Sequence, residues 1–255
     1  MAKSIAVAGK GGTGKTTIAA LIVRYLCEKK RGPVLAIDAD ADANLGTLLG
    51  IKTVKTIGDL REEVLREMKN LPAGMTKANY VEAGLHQIIE EAQGFDLVTM
   101  GRGEGNGCYC SLNNLIRKFS ADLAPSYSWI VLDNEAGLEH ISRRTTSNID
   151  ALLIVVNDNP ISFDTARRIK SIVKDLKNNI GRGYVVTNMI REKNRQAVQK
   201  MTADLQMEYI GDIPADESLQ EAIFSGGSLM TTTKTKAIES LYAIMDFIGG
   251  GDDNT

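Results

Sequence analysis

Short apolar runs rich in valine and isoleucine recur along the chain, each followed by a longer stretch whose apolar residues repeat at helical spacing. The runs predict strands at Ser4–Ala8, Pro33–Asp38, Phe95–Met100, Trp129–Asp133, Ala151–Asn157, Gly183–Asn188 and Met207–Ile210. Several have no alternation of apolar and polar residues. A strand apolar on both sides is buried on both sides, as in a parallel sheet covered by helices. The intervening stretches predict helices at Gly14–Lys30, Ile57–Asn70, Asn79–Ala92, Ser111–Leu123, Ser162–Asn178, Glu192–Leu205 and Thr235–Ile248. Lys29, Lys30 and Arg31 suit a helix C-terminus, and Ser162 is a candidate N-cap. Residues 71–78 predict a loop. The βα alternation predicts an α/β fold: a doubly wound, mainly parallel sheet with helices on both faces. No repeat or linker divides the chain, so a single domain is expected over residues 1–248, with residues 249–255 a disordered tail.

Composition narrows the classes without naming one. The chain has 255 residues, 43% hydrophobic and 24% charged, with a formal net charge of -2. That balance disfavours nucleic acid as the main partner, which demands a basic face. The purest apolar run, Ala151–Val156, is too short to cross a bilayer, so no membrane association is expected. The N-terminus has no secretory pattern. Three cysteines do not make a disulfide framework, and a cytoplasmic location is expected.

The strongest chemical signal is GKGGTGKTT, Gly9–Thr17, after a predicted strand and opening a predicted helix. It matches the phosphate-binding P-loop in sequence and in context. Backbone N–H groups of Gly11, Gly12, Thr13 and Gly14 are expected to face phosphates, with Lys15 on the β- and γ-phosphates. The Thr16 hydroxyl is expected on magnesium, and Thr17 completes the loop. Two acidic clusters end predicted strands: Asp38, Asp40 and Asp42 in DADAD, and Asp133 in WIVLDNEAG, placed as a Walker B aspartate is. Their alternative is strand-end acids that cap helices, and Asp42 is expected to be a solvated or helix-capping residue.

Lys10, early in KGGTGKT, resembles the second lysine of the deviant Walker A motif in the MinD/ParA/nitrogenase-iron-protein class. The resemblance implies a P-loop NTPase fold, ATP and ADP as ligands, Mg²⁺, ATP hydrolysis, and a homodimer in which Lys10 reaches the partner's nucleotide. It implies Asp38 for magnesium through water, Asp40 for the attacking water, and Gly137 as a γ-phosphate sensor. Asn188 is implied to contact adenine. Pro214 and Asp216, in GDIPAD, either close over the base or serve turn chemistry.

Cys108 and Cys110 flank one tyrosine in GEGNGCYC. They are either reduced structural thiols or half of a metal site. In a dimer with two-fold symmetry, two thiolates become four, which suits tetrahedral Zn²⁺ or square-planar Ni²⁺. MGRGEGNGCYCSLNNLIRKF and LDNEAGLEHISRRT together resemble the CooC-type ATPases, which assist nickel insertion into carbon monoxide dehydrogenase, with a relative serving acetyl-CoA synthase. The resemblance implies metal at Cys108 and Cys110 and a nickel enzyme as client. Glu135, Glu139 and His140 fall in the matching segment, His140 as a coupling residue or a plain helix residue. The alternative is a dimerising ATPase of positioning or partitioning without a metal. The remaining cysteine, Cys27, is expected to be a buried, inert thiol.

Overall fold

The computed structural model describes residues 2–67, 74–101, 123–134, 149–175 and 180–250. Eight strands form one sheet: β1 (Lys3–Gly9), β2 (Val34–Asp38), β3 (Ile89–Ala92), β4 (Phe95–Thr99), β5 (Trp129–Asp133), β6 (Ile149–Val156), β7 (Ile180–Asn188) and β8 (Glu208–Ile213). Their order is β3-β4-β2-β5-β1-β6-β7-β8. Every pair is parallel except β3 with β4. The mainly parallel α/β sheet expected from the unalternating apolar runs is therefore present.

Helices cover both faces: α1 (Lys15–Glu28), α2 (Leu45–Leu49), α3 (Ile57–Glu67), α4 (Lys77–Gln87), α5 (Pro160–Asp175), α6 (Arg195–Asp204), α7 (Glu217–Phe224) and α8 (Lys236–Gly250). The central strand shows why the runs are continuous. Ile5 and Val7 of β1 pack with α1 and α8. Ala6 and Ala8 point the other way, into the layer built by α5 and α6. Leu35 and Val98 extend that second layer against α3 and α4.

Four expectations need correction. The stretch Asn79–Ala92 is not one helix. Helix α4 stops at Gln87, and residues 89–92 pair antiparallel with β4. Gln93 and Gly94 reverse the chain, with Gly94 at φ 92°, a conformation cheap only for glycine. Ile88, at the junction, is fully buried with Leu60 and Leu85. Ser162 is not the N-cap of α5: the helix starts at Pro160, a favoured first position, and Asn159 Oδ1 accepts the Ile161 N–H at 3.1 Å. Ser162 Oγ instead donates to the carbonyls of Asn159 and Asn157. The loop placed at 71–78 already turns helical at Lys77, capped by Thr76. The C-terminal helix continues through Gly250, past the tail boundary placed at residue 249. Helices α2 and α7 were not anticipated. The helix expected at Ser111–Leu123 lies outside the described residues up to 122. Among the described residues no helix is long and apolar enough to cross a membrane.

A polar clamp joins α1 to the C-terminal part of the chain. Arg24 is buried, donates from Nε to Glu28 Oε1 at 2.7 Å and from a terminal nitrogen to the Leu229 carbonyl at 2.9 Å. Lys234 reaches the other Glu28 oxygen at 3.0 Å. Tyr25 meets Tyr242 edge-to-face at 5.1 Å and donates to Asp246 at 2.5 Å. A buried guanidinium is tolerated only while its partners remain. Arg24→Leu strips two charge-assisted bonds and strands the Leu229 carbonyl, so urea denaturation is expected to show a loss of about 3 kcal/mol. Glu28→Gln keeps one acceptor for Arg24 and is expected to cost about half as much.

Candidate nucleotide and cation site

The loop from β1 to α1 is shaped by three backbone positions. Gly9, at φ 153°, passes so close to the Val155 carbonyl that a Cβ would collide with it. Gly12 and Gly14 adopt φ 79° and 87°. Gly14 is the N-cap of α1 and offers no side chain, and the first turn of α1 has no acid. The leading N–H groups of α1 therefore lack an internal acceptor and keep their positive potential, as an anion receptor requires. The Lys10 carbonyl draws the loop together: it accepts from Thr13 N–H at 3.3 Å, Thr13 Oγ1 at 2.8 Å and Lys15 Nζ at 3.4 Å. Thr13 and Lys15 are buried, while Gly11 and Gly12 are exposed at the tip. Lys10 lies at the rim, its Nζ donating to the Gly11 carbonyl at 3.3 Å.

Asp38 and Asp133 stand in register on the neighbouring strands β2 and β5, both at the carboxyl edge and both fully buried. Burial pushes the Asp38 carboxyl up to about 6, although the Leu45 and Asp40 N–H groups draw it down. Its Oδ2 accepts from Leu45 N–H at 2.9 Å and its Oδ1 from Asp40 N–H at 3.1 Å. Both oxygens thus hold the turn that presents Asp40. Asp133 is pushed up to about 7, again mainly by burial. The Thr16 hydroxyl and the Lys15 charge lower it, and the Asp38 and Asp40 charges raise it. Thr16 is close enough to favour the carboxylate without completing a hydrogen bond. Among the described residues neither Asp133 oxygen has a partner.

An orphaned buried carboxylate beside a threonine hydroxyl and a helix N-terminus is the donor set a hydrated, hard divalent cation takes. The residues present fit magnesium, with Asp133 and Thr16 as its nearest protein groups. Asp40, half-buried, accepts from the Asp42 N–H at 3.0 Å, and Asp42 is exposed.

Asn188, at the end of β7, reaches the P-loop itself. Its buried amide donates to the Thr13 carbonyl at 2.8 Å, and it fills the space where a Cβ on Gly14 would lie. This structural bond was not foreseen. Nor was Asn134, whose N–H and side-chain amide both donate to the Val7 carbonyl at 3.1 Å and whose Oδ1 is buried without a partner among the described residues. Its signal was an amide directly after a strand-end aspartate. Asp216 is a helix cap: Oδ1 accepts from Leu219 N–H and Oδ2 from Ala237 N–H, each at 3.1 Å. Of the two readings left open for it, turn chemistry occupies both oxygens. Pro214 follows directly on β8, at the same sheet edge.

Cys108, Cys110, Glu135, Gly137, Glu139 and His140 lie outside the described residues. Among the described residues no three His, Cys, Asp or Glu side chains form a metal-binding group. Cys27 is half-buried at the far end of α1, donates to the Gly94 carbonyl at 3.4 Å and is pushed up to about 11 by burial. It is less buried than expected, while the raised pKa suits the inert thiol expected of it.

Asp38 and Asp133 make stability depend on pH with an unusual sign. Their folded pKa values lie above the unfolded ones, so the folded chain holds protons that the unfolded chain releases. This contribution is complete below about pH 4 and disappears as pH rises through about 6 to 7. Asp133→Asn removes the larger part. Without added magnesium it is expected to be the more stable protein at pH 8, by on the order of 3 kcal/mol, and to converge with the parent near pH 4. Parallel melting curves across that range would refute this assignment.

The family model for the CobQ/CobB/MinD/ParA nucleotide binding domain matches residues 4–229. A protein of Methanocaldococcus jannaschii described as an uncharacterised ATP-binding protein is 40% identical over 224 residues, covering 87% of this chain and 88% of its own. The carbon monoxide dehydrogenase accessory protein CooC of Rhodospirillum rubrum is 30% identical over 263 residues, covering 96% of this chain and 97% of its own. The MinD cell division protein of Aquifex aeolicus superposes with a TM-score of 0.71 at 24% identity, over 98% of this chain and 97% of that one, and shares the fold. The glycine-rich loop at the N-terminus of α1 and the two carboxylates beside it are thus set in a sheet of known kind, and the chain belongs to the CobQ/CobB/MinD/ParA nucleotide-binding family.

Proposed function

We propose that the chain is a magnesium-dependent ATPase that dimerises around its nucleotides and serves as a maturation factor for a nickel enzyme, carbon monoxide dehydrogenase or acetyl-CoA synthase. The observation that carries this reading is the similarity to CooC along nearly the whole of both chains, joined to the Cys108-Tyr109-Cys110 pair. The segment bearing that pair follows β4, which ends at the same sheet edge as the P-loop.

Each role rests on a position. The N–H groups from Gly11 to Thr17 cradle the phosphates, and Lys15 neutralises the β- and γ-phosphates. Bound magnesium would supply further neutralisation of the phosphate charge, held through Thr16, Asp133 and, by way of water, Asp38. Asp40, held by the Asp38 turn, orients the attacking water. Lys10, at the rim, extends to the nucleotide of a second copy and stabilises charge on the transferring phosphoryl group. Asn188 positions the P-loop and, with the backbone around Pro214 and Asp216, borders the base. In the dimer, Cys108 and Cys110 of two copies present four thiolates to Ni²⁺ or Zn²⁺ as cargo. Transfer requires that the two nucleotide states hold the metal with different affinity. A second reading, a positioning or partitioning ATPase with no metal role, draws on the family match and on relatives of that kind, the MinD neighbour among them.

Metal content measured against oligomeric state separates the two. Protein loaded with Ni²⁺ or Zn²⁺, with and without ATP, is expected to give one metal per dimer on size exclusion. Cys108→Ser is expected to abolish that metal while leaving most of the basal ATPase. Asp40→Ala is expected to lower hydrolysis by two orders of magnitude or more with ATP binding retained. A metal-free dimer formed by ATP, with the cysteines dispensable, would replace the maturation reading with the positioning one.

A further inference from the structure

On the sheet face opposite α1, between α6 and the β7–β8 edge, lies a cavity of about 220 Å³. Its walls are mainly apolar: Ile190, Val198, Ala203 and Met207. Its polar groups come from three elements. Thr187 ends β7 next to Asn188, but strand alternation sends the two side chains to opposite faces: Asn188 to the P-loop, Thr187 into the cavity.

The polar wall depends on an irregularity. Tyr209 and Asp212 of β8 are three residues apart, so in a regular strand they would face opposite ways. The pairing with β7 shifts between Val185 and Val186: Val185 stands opposite Tyr209, and Val186 opposite Gly211. Ile210 is the extra residue of a β-bulge. The bulge turns both Tyr209 and Asp212 onto the face of Thr187. Thr187 Oγ1 lies 2.8 Å from Asp212 Oδ1, to which it donates, and 3.1 Å from the Tyr209 hydroxyl. Arg195 lies 3.5 Å from the same carboxylate and is also bonded to Glu192. The charges at the mouth are thereby paired among themselves.

One buried polar group in the cavity is not paired among the described residues. Thr202, on α6, is only 6% exposed, lines the cavity, and among the described residues its hydroxyl has no hydrogen-bond partner. A buried hydroxyl left unmade is a standing cost that a ligand can relieve. Tyr209, 48% exposed, lines the same cavity at its mouth.

We propose that this cavity is a second small-molecule site, separate from the nucleotide site, and that it takes an uncharged bicyclic aromatic molecule bearing a hydrogen-bonding N–H or O–H. Size sets the first part: a cavity of ~150 Å³ holds benzene, so this one has room for a second ring. Of the charged groups only Arg195 and Asp212 line the cavity, with opposite signs, so the lining itself offers no net charge to recruit an ion, which sets the second. The unpartnered Thr202 hydroxyl inside and the tyrosine ring at the mouth set the third, as anchor and stacking surface.

Indole is the probe, with indene as the same shape lacking the N–H. The full chain, labelled at isoleucine, valine and methionine methyls, is titrated with each and followed by NMR. Indole is expected to shift the Ile190, Val198 and Met207 methyls saturably at sub-millimolar concentration, and to bind more tightly than indene. Thr202→Val keeps the shape and removes the hydroxyl. It is expected to weaken indole about fivefold and to leave indene unchanged. Ala203→Phe, at an exposed position on the rim, is expected to block both and serves if Thr202→Val fails to fold. Shifts that do not saturate, shifts scattered away from these methyls, or indole binding unchanged by either substitution would overturn the proposal.

Discussion

Two carboxylates buried side by side set the terms for the rest of this structure. Asp38 and Asp133 stand in register on adjacent parallel strands and resist ionisation because water cannot reach them. Such a pair is tolerable only where positive potential faces it. The nearby supply is the N-terminus of α1 together with Lys15, whose charge draws the Asp133 pKa down. Parallel strands place all their carboxyl ends on one edge, so the acids and the helix that compensates them arrive together by topology. The P-loop and the acid pair are therefore two halves of one electrostatic arrangement.

That arrangement is held by contacts from outside it. Asn188 comes from the seventh strand in chain order, yet it fastens the Thr13 carbonyl and occupies the space against Gly14. Gly9 lies against the Val155 carbonyl of β6. Asp38 uses both oxygens to fix the turn that carries Asp40. The geometry around the phosphate site is thus set by β6 and β7 on one side and by β2 on the other, with α1 between them.

Much of this was legible in the sequence, for a physical reason. A strand buried on both faces must be apolar throughout, and a phosphate loop must be contiguous, so both leave local signatures. The pair Ile89–Ala92 left none. Its two glutamates suit a helix surface as well as an edge strand, and only Gly94 marked the reversal. Short α2 and α7 likewise lack enough turns to show a period. The position of Asn188 at a strand end is visible in the sequence, whereas its partner 175 residues earlier is not. Asp216 was visible as an acid in a turn, but its second oxygen serves Ala237, across 21 residues. Side chains whose role is set by a distant backbone group cannot announce it in their own neighbourhood.

The bulge at Ile210 shows the same limit in its sharpest form. Tyr209, Thr187 and Asp212 meet only because β8 is one residue longer than its pairing with β7 requires. Ile210 and Gly211 both turn toward α8, where Ile244 leaves no room for a side chain on Gly211. What must be preserved here is a count rather than a chemical type. A relative could exchange most residues of this strand and keep the polar cluster, whereas one missing a single residue would carry the same side chains on the wrong sides of the sheet. Descent along this edge is better traced by aligned length than by identity.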